Sequence, residues 1–109
     1  MKIAIPAQNE QVAAHFGHCP EFMLANVVDG RLGELVSVPN PGHRPGFLPQ
    51  WLGEQGVTVV IAGGIGASAM QIFQQQGIEV VVGVQGKVTT ALEQYLKGEL
   101  RPDNNICHH

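Results

Sequence analysis

Two segments of this chain concentrate side chains that bind borderline and soft metals. The first is His15-Phe16-Gly17-His18-Cys19-Pro20, and the second is the C-terminal Cys107-His108-His109. Imidazole and thiolate are the ligands that suit zinc, copper and iron–sulfur species. His15 and His18 are spaced to face one ion across a turn, with Gly17 permitting the bend. Cys19 reaches the same ion only if the backbone turns sharply. The plainer reading makes His15 a hydrogen-bonding loop residue and Cys19 a small buried hydrophobe. The C-terminal segment places three candidate ligands in a row with no hydrophobic reason to be there. Two terminal histidines are too few for an ordinary purification tag. From Gly98 onward the chain can extend roughly 35 Å at about 3.3 Å per residue, enough to return to the first segment. Together the two segments supply the four ligands of tetrahedral zinc, with candidates to spare. The competing reading is a mobile tail whose cysteine is incidental.

A third segment, Gly63-Gly64-Ile65-Gly66, follows an apolar run and opens a helical pattern. Backbone N–H groups at such a point can bind an anion. No Lys-Ser or Lys-Thr follows, so it is not a phosphate loop of the nucleotide-hydrolase kind. The alternative is a tight turn where strand and helix backbones approach closely. The two readings are compatible if the ligand is an anionic metal–sulfide cluster.

The elements that must position these segments are legible from periodicity and turn signals. Strands are expected at Lys2–Pro6, Phe22–Val28 and Leu32–Val38, the last two joined by the hairpin signal Asp29-Gly30. Pro39–Pro49 reads as a proline-rich loop, with His43 an exposed loop residue. Leu48–Gln55 reads as a short helix with Leu48, Trp51 and Leu52 on one face. Val57–Ala62 is a continuous apolar run of β-branched residues, as expected of a strand buried on both faces, and Ile78–Val82 reads as a second buried strand. Ala67–Gln76 and Val88–Leu96 carry helical stripes, and Gly77 stands where a left-handed cap would end the first of them. The order β-β-β-α-β-α-β-α implies one α/β domain over residues 1–98. It has a ribonuclease-H-like mixed sheet with flanking helices, and residues 99–109 form a flexible tail. In such a sheet, ligands bind beyond the carboxyl ends of the parallel strands. The loops Ala7–Glu21, Gly63–Gly66 and Gly83–Lys87 should meet there.

The 109 residues carry a net charge of −3, and the 6 Lys and Arg form no basic patch. Nucleic acid and anionic membranes are therefore not expected partners. No apolar run approaches the roughly 20 residues of a membrane helix. No charged leader with a cleavage site is visible, so a cytoplasmic location with reduced thiols is expected. The first strand carries no carboxylate, which argues against a metal-dependent nuclease. A thiol catalyst built on Cys19 and a neighbouring histidine has no clear acidic partner to orient the imidazole.

The strand KIAIP, the segment HFGHCPEF at His15–Phe22, the run VTVVIAGGIGASA at Val57–Ala69 and QQGIEVVVG at Gln75–Gly83 resemble the dinitrogenase iron–molybdenum cofactor biosynthesis family over nearly the whole chain. The resemblance implies the ribonuclease-H-like fold and a non-enzymatic role in carrying iron–sulfur or molybdenum-containing clusters between donor and acceptor proteins. It matches His15 to the histidine before the family's Phe-Gly, and it brings Phe16, Gly17, Gly63, Gly64 and Gly66 into the expected cofactor site. The metal role of His18, Cys19, Cys107, His108 and His109 comes from their chemistry alone. Three functions follow, in order: a cluster carrier, a single-ion site for zinc or a similar metal, and a metal-free interaction domain. The low charge leaves room for a homodimer.

Overall fold

A computed structural model of the protein describes residues 1–42 and 46–100. Nine elements follow one another: β1 (Lys2–Gln8), β2 (Gln11–Val12), β3 (Glu21–Val28), β4 (Arg31–Pro39), α1 (Phe47–Glu54), β5 (Val59–Ile61), α2 (Ala67–Gln75), β6 (Glu79–Val81) and α3 (Val88–Leu96). The sheet order is β4-β3-β1-β5-β6, with β2 folded back on β1. β1, β5 and β6 run parallel, and the β3–β4 hairpin is antiparallel to β1 and to itself. The mixed α/β architecture agrees with the expected order of elements.

Alternation along the central strands sends side chains to two cores. Ile3, Ile5, Val59, Ile61 and Val81 pack with Val88, Ala91 and Leu92 of α3. Ala4, Phe22, Leu24, Val60 and Ala62 pack on the other face with Leu48 and Leu52 of α1 and Phe73 of α2. Strands β1 and β5 are therefore apolar on both sides, the signature of a sheet covered by helices on each face. Trp51 is half-buried on the second core, its ring 5.8 Å from that of Phe22. Of the expected α2 stripe, only Phe73 is fully buried.

Turn chemistry explains the connections. Asp29 and Gly30 both have positive φ (54° and 75°) between the paired residues Val28 and Arg31, as a two-residue primed turn requires. Gly77 is left-handed at φ 74°, just beyond the C-cap of α2. Two departures from the sequence expectation lie at the end of the first strand. β1 does not stop at Pro6 but continues to Gln8, because its pairing with β5 involves Ile3 and Ala4 and has ended before the proline lacks a donor. The following stretch is not wholly irregular. Asn9 and Glu10, at φ 54° and 66°, turn the chain into β2. That turn contains no glycine, so it carries no strong hairpin signal.

Candidate functional site

The three loops expected to meet at the carboxyl edge of the parallel strands do so through backbone hydrogen bonds. The loop after β1 is stitched to the loop after β5. Phe16 N–H donates to the Gly64 carbonyl at 2.8 Å, and Gly64 N–H donates to the Ala14 carbonyl at 2.8 Å. The loop after β6 joins both, with Gly83 N–H on the Gly63 carbonyl at 2.7 Å and Val12 N–H on the Gly86 carbonyl at 2.8 Å. These bonds fix the His15 segment against the end of β5 without any side-chain contribution.

The glycines of the second loop do different things. A Cβ on Gly63 would lie 2.7 Å from the Ala13 carbonyl oxygen and 3.1 Å from that of Ala14, so the close approach of two backbones demands glycine there. A Cβ on Gly64 would lie 3.0 Å from the Ala14 oxygen. Gly66 is the N-cap of α2 in extended conformation, and a Cβ there would meet nothing within 4 Å. The tight-turn reading thus applies to Gly63 and in part to Gly64, while Gly66 stands open at a helix start. No side chain caps α2, and no acidic residue occupies its first turn. Its leading N–H groups keep their partial positive charge for a ligand or solvent.

His15, Phe16, His18, Gly64, Ile65 and Gly66 line one open depression of about 470 Å³. Both imidazoles are exposed, and Gly17 between them turns through φ 94°. A backbone hydrogen bond from His18 N–H to the His15 carbonyl, 3.3 Å, closes that turn. Phe16 anchors the segment from below. Its ring lies 5.7 Å from Phe22 and 5.6 Å, edge-on, from Phe73. The spacing that suggested two imidazoles across a turn is therefore realised on one surface.

Cys19 does not join them. It is buried in the core with Phe22 and Leu48 on the side of α1 and α2. Burial pushes its thiol above the ordinary range, and hydrogen bonds from nearby backbone and from Asn40 offset only part of that. A metal ligand must be a thiolate, which this environment opposes. The expectation that Cys19 turns toward the ion His15 and His18 face is corrected accordingly. Its neighbour Pro20 is exposed, and the bend there, just before β3 begins, lets Cys19 pack on the same side as Phe22 although strict alternation would put Pro20 on that face. Among the described residues, no group of three or more His, Cys, Asp or Glu side chains converges on one point. Cys107, His108 and His109, together with His43, lie outside the described residues.

A family model described as dinitrogenase iron-molybdenum cofactor matches residues 1–98, the whole α/β unit with both loops of the depression. The chain belongs to that family. Uncharacterized protein MJ0580 of Methanocaldococcus jannaschii is 30% identical over 105 residues, covering 92% of this chain and 89% of its own. Among solved structures, that of PH0822 is 28% identical, covers 100% of both chains and superposes with a TM-score of 0.89. The apo form of the orange protein from Desulfovibrio gigas is 24% identical over 90% of this chain and 88% of its own, with a TM-score of 0.75. Membership of the dinitrogenase iron–molybdenum cofactor family ties the chain to processes involving that cofactor. The ribonuclease-H-like label remains a description of element order.

Sequence reasoning missed Asn40, whose side chain holds the His15–Cys19 segment from the far end of β4. The signal was present in Asn40-Pro41-Gly42, a typical local turn sequence, but nothing in it names a partner about 20 residues away. It also missed Ile65 as a lining residue. No helix among the described residues is long and apolar enough to cross a membrane.

Proposed function

We propose that this protein is a non-catalytic carrier of a metal–sulfur cluster, iron–sulfur or molybdenum-containing, held at the depression lined by His15, His18 and the Gly64–Gly66 backbone. The observation that carries the reading is the sharing of one open surface by two exposed imidazoles and an uncapped helix start. Two imidazoles alone leave a single zinc ion half-ligated. A cluster brings part of its coordination as sulfide, and the two imidazoles would supply two of the terminal positions that sulfide leaves to the protein. The cluster's negative charge is complemented by the N–H groups at the start of α2. The openness of the depression suits cargo that must be received from one protein and passed to another. A carrier also needs no activated nucleophile, and the buried Cys19 thiol is held in its unreactive neutral form.

The test is elemental analysis with an ultraviolet–visible spectrum of full-length, untagged protein prepared without oxygen or chelator. The apoprotein is then incubated with sulfide and either ferrous iron or molybdate and passed through a desalting column. The carrier reading expects retained metal and sulfide with charge-transfer colour, both lost in His15→Ala/His18→Ala. Colourless protein with one zinc per chain would replace it with a single-ion site using ligands beyond the described residues. Absence of retained metal under every condition would remove both metal readings.

A further inference from the structure

Asn40 follows directly on β4 and is half-buried against the segment that carries the two histidines. Its Nδ2 donates to the carbonyl of Cys19 at 2.8 Å and to the carbonyl of Gly17 at 3.3 Å. Its Oδ1 accepts from Gly42 N–H at 3.0 Å, and its own backbone N–H donates to the Pro20 carbonyl at 3.1 Å. The direction of the amide is fixed by this network, since only Nδ2 can satisfy two carbonyls and only Oδ1 can meet an N–H.

The two carbonyls held by Nδ2 belong to the residues that flank His18. The peptide unit before His18 and the one after Cys19 are thus tied to one side chain. His15 is held separately, through the hydrogen bonds of Ala14 and Phe16 to Gly64. The depression is therefore built from two clamps, one from the β5–α2 loop on His15 and one from the end of β4 on His18. Between them Gly17, at φ 94°, gives the segment a joint that no side chain stiffens. The second clamp adds to the 3.3 Å bond from His18 N–H to the His15 carbonyl in limiting how far the imidazoles can move apart about that joint.

We infer that Asn40 is the positioning residue of this site: it sets where His18 stands relative to His15 by holding the carbonyls of Gly17 and Cys19. The inference rests on the proposed reading of the two histidines as ligands, and it adds a residue that touches neither imidazole. Outer groups that orient metal ligands commonly affect metal affinity by about 10- to 100-fold, and that is the scale expected here.

The experiment compares full-length wild type, Asn40→Ala and Asn40→Asp by amide hydrogen exchange without metal and by residue-resolved NMR titration with Co(II) alone. Asn40→Asp keeps the shape and the acceptor for Gly42 but points an oxygen at two carbonyls, so it removes the clamp with least disturbance of packing. Both variants should raise exchange at Gly17–Cys19 by roughly tenfold or more, leaving Phe16, β1, β5 and α3 protected as in wild type. Both should weaken the Co(II) response at His15 and His18 by about 10- to 100-fold. Unchanged exchange at Gly17–Cys19, or a uniform rise across the sheet, would overturn the positioning role. Absence of a Co(II) response at these histidines in wild type would instead sink the ligand reading, while the exchange comparison still decides whether Asn40 clamps the loop.

Discussion

Gly63 and Gly66 look equivalent in the run Gly63-Gly64-Ile65-Gly66, yet substituting them should give opposite results. In Gly63→Ala the new methyl carbon would sit 2.7 Å from the Ala13 oxygen, about 0.7 Å short of ordinary contact, which begins near 3.4 Å. The obstructing atoms are backbone, so they cannot rotate aside. Relief requires the Ala13–Ala14 peptides to move away from β5. A shift of that size would stretch the 2.8 Å bonds joining Ala14 and Phe16 to Gly64 beyond useful length. Overpacking costs about 1–3 kcal/mol, and a lost hydrogen bond adds about 1 kcal/mol, giving a total near 2–4 kcal/mol. At roughly 4–8 °C per kcal/mol for a domain of this size, Tm should fall by about 8–32 °C. In Gly66→Ser the side chain meets open space at φ −73°, ψ 156°, and serine is a better N-cap than glycine by a few tenths of a kcal/mol. Fewer unfolded conformations add about 0.4–1 kcal/mol, so this variant should equal or exceed wild type. Urea denaturation followed by the fluorescence of the single tryptophan, Trp51, measures both. Gly63→Ala within about 0.5 kcal/mol of wild type, or equal destabilisation by the two substitutions, would refute the close-approach argument.

The remaining predictions concern groups outside the depression. Cys19 in the native protein should be alkylated by iodoacetamide at pH 8 far more slowly than in urea, about 100-fold or more for a site reached only by opening. Peptide mapping separates it from Cys107, and equal rates would show that the thiol is not held in the core. Because burial raises the Cys19 pKa above its ordinary value near 9.0, the folded state favours the neutral thiol. That contribution is intact below the ordinary value and is lost as pH rises through the folded one. Stability should therefore decline on the alkaline side less steeply in Cys19→Ala than in wild type. Glu10→Gly should stabilise the fold by about 0.5–1 kcal/mol, because a left-handed non-glycine residue costs about 1–2 kcal/mol and glycine returns part of that gain as unfolded-state entropy. The substitution leaves the Glu10 carbonyl free to accept from Val88, and a lower urea midpoint would contradict the strain at φ 66°.

Much of the architecture was legible because it depends on local patterns. Val59–Ile61, in the apolar run Val57–Ala62, is a strand covered on both faces, Ile78–Val82 contains the edge strand β6 with Glu79 exposed, and Asp29-Gly30 prescribes its own turn. Pro6 misled because a proline ends pairing only where its missing donor faces a neighbour, and which neighbour is present is a matter of sheet order. Asn9-Glu10 was invisible as a turn because the left-handed conformation at Glu10 is required by the two-residue connection between the paired Gln8 and Gln11, not favoured by the residue itself. Residue type and spacing at His15 and His18 correctly placed two imidazoles on one surface, since three residues with a glycine between them make a turn almost by geometry alone.

Cys19 marks the boundary between the two kinds of information. The sequence determines that a thiol stands next to His18. Only the tertiary structure decides that this thiol lies in the core with Phe22 and Leu48, because the bend before β3 turns it inward and the core on that side is filled by α1 and α2. The same holds for the glycines and for Asn40. The sequence determines that Gly63 lacks a side chain and that Asn40 carries a donor and an acceptor. What each is needed for depends on Ala13 and on Gly17 and Cys19, which are brought there by parallel strand pairing and by the return of β4. Ligand type is a local property of the chain, whereas close approach and ligand positioning are properties of segments distant in sequence and adjacent only after folding.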